Sequence, residues 1–154
     1  MPRAYVRQNE LSEAFRDKAL EIRGTWKSHN GAPASSPFDS RWGVFKRESY
    51  KLIRNTISAP GGHQIIKQIV RDANCDPAHL RYKGNEFHHG LLAVDPWGEV
   101  LNAQSISRIA RQLTYANRHD VPPFFLVGFL YQSGSTDLIA RKFRDDEREP
   151  WLLR

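Results

Sequence analysis

The side chains with the most chemistry in this sequence fall in two places. The first is the pair His88-His89, at the head of the apolar run in GNEFHHGLLAVDPWGEVLN, residues 84–102. Imidazole changes charge near neutral pH, so such a pair can supply a general base or metal ligands. The second is the series Arg108, Arg111, Tyr115 and Arg118, at i, i+3, i+7 and i+10, with Gln104, Gln112 and His119 nearby. On a helix these line one side, opposite the apolar stripe Ile106, Ile109, Ala110 and Leu113. Guanidinium forks bind phosphate oxygens in pairs, so this face suits phosphate contact.

The elements that would position these groups follow from period and punctuation. NELSEAFRDKALEIRG reads as a helix with Leu11, Phe15, Lys18 and Ile22 on one stripe, opened by Asn9 and closed by Gly24. RWGVFKRESYKLIRNTIS is a second helix, with Phe45, Ser49, Leu52, Ile53, Thr56 and Ile57 inward and Lys46, Arg47, Lys51 and Arg54 on a basic side. HQIIKQIVRDAN is a third, and Asp76-Pro77 opens a short further turn. EFHHGLLAV then reads as a strand, DPWG as a type I turn and EVLN as the partner strand. Strand neighbours point to opposite faces, so one of His88 and His89 faces inward and the other outward. SISRIARQLTYANRH returns to helical period, and Pro122-Pro123 stops it. FFLVGFLYQ has no alternation and reads as a strand buried on both faces, with DLIARKF as a partner strand or short helix. The expected fold is therefore α+β in one domain, residues 1–154: three N-terminal helices, a β-hairpin, a basic amphipathic helix and two C-terminal strands in one antiparallel or mixed sheet. A flexible loop is expected at 27–40 and a charged tail at 144–154.

A chain of 154 residues with 40% hydrophobic content can bury a core without staples. Its single cysteine, Cys75, excludes an internal disulfide and a multi-cysteine zinc site, and its neighbours Asn74 and Asp76 make it a poor nucleophile. The first ten residues have no apolar core, and the longest apolar run, Phe124 to Tyr131, is far below the ~20 residues that cross a bilayer. A cytoplasmic location without membrane contact is the expectation. Neither a phosphate-binding glycine loop nor a Gly-x-Ser-x-Gly elbow is present. The net charge is +6, with eleven Lys/Arg against six Asp/Glu in residues 1–60. A basic domain attracts nucleic acid, phosphorylated ligands or acidic proteins.

Two local resemblances add to this. The order of hairpin, Asn102 and helix resembles the ββα-metal (HNH) nucleases, in which a strand histidine activates water, an asparagine braces the loop and further residues hold a divalent ion. The resemblance implies His88 or His89 as catalytic base and a metal set of His88, His89 and His119, although His119 lies seventeen residues beyond Asn102 and Arg111 occupies the depth where the family's ligand stands. SISRIARQLTYANRHDV is similar to a helix-turn-helix segment, with IARQL ending one helix and ANRHDV opening the recognition helix. The leading expectation is a small binding protein, not an enzyme and without a cofactor, that engages nucleic acid or another polyanion through Arg108, Arg111, Tyr115 and Arg118. The alternatives are a metal-dependent nuclease or hydrolase using the histidine pair, and an interaction or adaptor protein docking through PWLLR and the tryptophans of residues 26–42.

Overall fold

A computed structural model describes residues 3–29, 40–73, 86–134 and 139, with the side chains of the first few residues of the opening helix left aside. The described residues are helix and connecting turn throughout: α1 Arg3–Ser28, α2 Arg41–Ser58, α3 Gly62–Asp72, α4 Glu86–Val94, α5 Ala103–Arg118, a 3-10 turn Pro123–Phe125, and α6 Leu126–Ser133. Among them no strand occurs, so the expected α+β sheet is replaced by a helical bundle. Residues 30–39, the short turn after Asp76-Pro77, Cys75, most of DLIARKF and the tail 144–154 lie outside the described residues.

The expected hairpin is α4 followed by a tight loop. Phe87 and every residue from His89 to Val94 are buried. α4 packs on α1, α2, α3 and α5, so it is surrounded by protein and has no polar stripe. A nine-residue apolar run of this kind carries no period, and length alone does not separate a buried helix from a buried strand. Gly90 is the point of closest approach to α2: a Cβ there would stand 2.6–2.7 Å from three carbons of Ile53. The glycine thus serves helix packing.

The expected strand FFLVGFLYQ is the 3-10 turn plus α6. Its buried residues Leu126, Val127, Phe129, Leu130 and Ser133 follow a helical period. Phe124 and Phe125, which made the run look uniformly apolar, are exposed.

The other helices follow the expected pattern more closely. Ser40 caps α2 by accepting from Gly43 N at 2.9 Å, and Phe45, Ser49 and Ile53 point inward as expected. Tyr50 is also fully buried, and its hydroxyl donates to Val121 O at 2.6 Å, tying α2 to the segment that follows α5. Burial pushes the Tyr50 phenol above its usual range, against the pull of the nearby Arg54 cation. Arg54 itself donates to Val121 O and pairs with Asp120, a non-glycine residue at φ 53°. Gly62, at the start of α3, lies so close to Thr56 O that any Cβ would collide with it. On α1, Phe15, Ala19 and Ile22 are buried, while Lys18 stands in solvent and pairs with Glu21 at 3.4 Å.

Candidate functional site

The loop between α4 and α5 sets the position of the arginine helix. Asp95 is buried, and its carboxylate accepts three backbone N–H groups: Glu99 at 2.9 Å, Val100 at 2.9 Å and Leu101 at 2.7 Å. This spends Asp95 on loop structure. From α1, the buried Arg23 donates to Val94 O at 2.6 Å and meets the Glu99 carboxylate at 3.3 Å. Lys27 reaches the same carboxylate at 2.8 Å. The hydrogen bond from Lys27, aided by both cations, holds the Glu99 carboxyl below its usual range. Asn102 then caps α5, its side-chain oxygen accepting from Ser105 N at 2.8 Å. The asparagine that the nuclease resemblance casts as a loop brace is therefore a helix cap.

α5 runs unbroken from Ala103 to Arg118, so the turn required by the helix-turn-helix resemblance is absent, as is the hairpin required by the ββα-metal resemblance. Its inward face is the expected one, with Ile106, Ile109, Ala110 and Leu113 buried. Its outward face changes character halfway along. Arg108 and Arg111 are exposed, one turn apart, and among the described residues neither forms an ion pair or a side-chain hydrogen bond. Tyr115, expected beside them in solvent, is completely buried. α6 lies over this half of the helix, and Phe129 packs on Tyr115 with ring centroids 5.8 Å apart. Arg118 is half-buried and Gln112 is buried. The exposed basic face thus comprises the first half of α5 rather than its whole length.

The histidines separate. His89 is buried and His88 is half-exposed, with ring centroids 6.4 Å apart, so one does face inward and the other outward, but from a helix. His119 sits at the end of α5, packed against Tyr115 at 4.6 Å and Phe129 at 5.3 Å, with Nδ1 2.9 Å from Tyr115 O. His63 pairs with Glu86 at 3.6 Å. Among the described residues no group of three or more His, Cys, Asp and Glu side chains is placed to hold a metal ion.

Three features were not anticipated from sequence. A cleft of about 380 Å³ opens between α1 and α2 over Ile22, Val44, Phe45 and Leu52. A second, of about 380 Å³, lies between the end of α5 and α6, lined by His119, Val121, Pro122 and Phe129. Close to it in the chain, Phe124, Phe125 and Tyr131 are 77%, 58% and 76% exposed. Of the tryptophans in residues 26–42, Trp26 meets Trp42 edge-on at 5.4 Å and Trp42 meets Phe45 at 5.7 Å, while Trp42 keeps an exposed edge. The segment PWLLR lies outside the described residues.

The class that these features define is a helical bundle with a basic outer helix face. Compared with known proteins, the chain matches no family model, no curated protein and no solved structure. Among the described residues, no helix is long and apolar enough to cross a membrane.

Proposed function

We propose that the protein is a binding module for nucleic acid or a chemically similar polyanion, engaged through the first half of α5. One observation carries this reading. Of the arginines whose side chains are described, Arg16, Arg23, Arg47 and Arg54 each meet a carboxylate, Arg41 lies over the Trp26 ring at 3.4 Å, Arg118 is half-buried, and Arg71 is exposed near the end of α3 with no second arginine on that helix. Arg108 and Arg111 are exposed together on one helix face without such a partner among the described residues. The net charge of +6 supplies long-range attraction for the same class of ligand.

Side chains three apart on a helix stand ~5–6 Å apart at Cβ, so these two forks can grip neighbouring phosphates of one strand. Phosphate contacts carry no sequence information by themselves, so binding should be tolerant of base sequence. Tyr115 has no exposed ring to offer a base, which removes aromatic stacking from this face.

The test is fluorescence anisotropy of a labelled short duplex titrated with the full chain from roughly 50 to 200 mM salt. The expected outcome is binding at low salt that falls linearly on a log–log plot. No association at the lowest salt would sink the proposal.

A further inference from the structure

We infer that the cleft between α1 and α2 binds a small amphipathic carboxylate, with the apolar body along the cleft floor and the anionic head at the Lys51 end. The site is independent of the arginine face on α5. Its floor is aliphatic and aromatic, from Ile22 on α1 and Val44, Phe45 and Leu52 on α2. Its volume of about 380 Å³ falls within the range of small-molecule sites, which are mostly apolar with a few polar groups that fix orientation. The lining runs from Lys18 on α1 to His29 just past its end, and from Arg41 to Asn55 on α2, so the cleft is elongated, roughly 16–21 Å at 1.5 Å per helical residue. That shape suits a chain of about ten carbons rather than a compact ring.

The charge on the walls selects the head group. Glu21 is neutralised by Lys18 at 3.4 Å, and Glu48 by Arg47 at 3.4 Å. Arg41 is occupied at the other end, donating to Trp26 O at 2.7 Å beneath its stacking contact with the indole. Lys51 remains: it is exposed, lines the cleft and, among the described residues, forms no ion pair or side-chain hydrogen bond. Asn55, one helical turn on, adds amide donors beside it. The lining therefore carries three cations, Lys18, Arg41 and Lys51, against the two carboxylates Glu21 and Glu48, so its net charge is positive, and Lys51 is the cation whose ammonium no described group engages. An anionic head on an apolar chain matches it, and a cationic head on the same chain does not.

The probes are decanoate, decylammonium and decanol, titrated calorimetrically into the full chain, with the fluorescence of Trp26 and Trp42 as a second readout. Saturable 1:1 binding of decanoate is expected, with decylammonium weaker by about tenfold. Lys51→Glu should weaken decanoate about tenfold and narrow or reverse the preference, with the circular dichroism unchanged because Lys51 is a solvent-facing side chain. Val44→Trp should fill the cleft and abolish binding of all three. Arg108→Ala with Arg111→Ala should leave decanoate affinity unchanged, which separates this site from the polyanion face. The inference is overturned if decanoate does not bind, if the three head groups bind equally, or if Lys51→Glu leaves decanoate affinity intact. Should Val44→Trp fail to fold, the Lys51 variant decides alone.

Discussion

α4 and α5 are consecutive helices packed against each other, yet they do opposite jobs. α4 is enclosed by four neighbours and buries nearly all its side chains. α5 buries one face and turns Arg108 and Arg111 outward. A helix whose outer edge is little more than Glu86 and His88 serves chiefly to hold the bundle together, whereas one with a full outer face presents side chains to solvent. The difference also divides the two groups of chemically able residues. The histidine pair belongs to the enclosed helix, so His89 is a packing residue first. The arginines belong to the half-open helix, and their charge is not spent on the fold.

The largest effect should come from Leu113→Asp, which puts a carboxylate on the fully buried face of α5. We expect it to unfold the protein, or to lower its stability by several kcal/mol, in a urea titration. Arg111→Asp, two residues away, should change stability by less than about 0.5 kcal/mol. Equal losses would mean that the face of α5 has been drawn wrongly. Gly90→Val comes next, since its first carbon would stand 2.6–2.7 Å from Ile53; a loss of about 1–3 kcal/mol is expected. An unchanged midpoint would show that α2 and α4 are not in close contact.

The histidines sharpen the comparison within α4. His89→Ala should cost about 1–3 kcal/mol through a lost buried polar side chain, and His88→Ala less than about 0.5. A larger loss at His88 would reverse the assignment of inner and outer ring. The smallest effect concerns the loop that joins the two helices. The Glu99 carboxyl titrates below its ordinary value in the folded state, so its contribution is full at neutral pH and disappears as pH falls through that depressed value. Glu99→Gln should therefore be less stable than the parent at pH 7, with the gap closing at strongly acidic pH. A gap that stays constant with pH would exclude the Lys27–Glu99 contact as its source.

How much of this was legible in the sequence follows the same division. α2 and α5 alternate inner and outer residues at helical period, and their bounds and inner faces could be read almost directly. α4 could not be read, because a segment apolar on all sides has no period to reveal; Gly90 was the one clue, as a small residue inside an apolar run. α6 did carry the helical spacing Leu126, Val127, Leu130, Ser133, but the exposed Phe124 and Phe125 ahead of it masked the pattern. The fold class was lost on those two segments and on EVLN, which reads as the partner strand of the first and is loop. For the site, Arg108 and Arg111 were found from spacing. The burial of Tyr115 was not, since it depends on α6 lying across α5, a contact between distant segments. The α1–α2 cleft is likewise a property of packing, with no motif in either helix.

In the proposed binding mode the first half of α5 meets phosphate. The most direct measurement compares the salt dependence of duplex binding for the parent chain and for the Arg108→Ala, Arg111→Ala double variant. Two lost phosphate contacts should reduce the log–log slope by about 1.8, with binding weakened at every salt concentration, while Arg118→Ala leaves the slope close to that of the parent. A double variant whose slope and affinity match the parent would show that Arg108 and Arg111 do not touch phosphate.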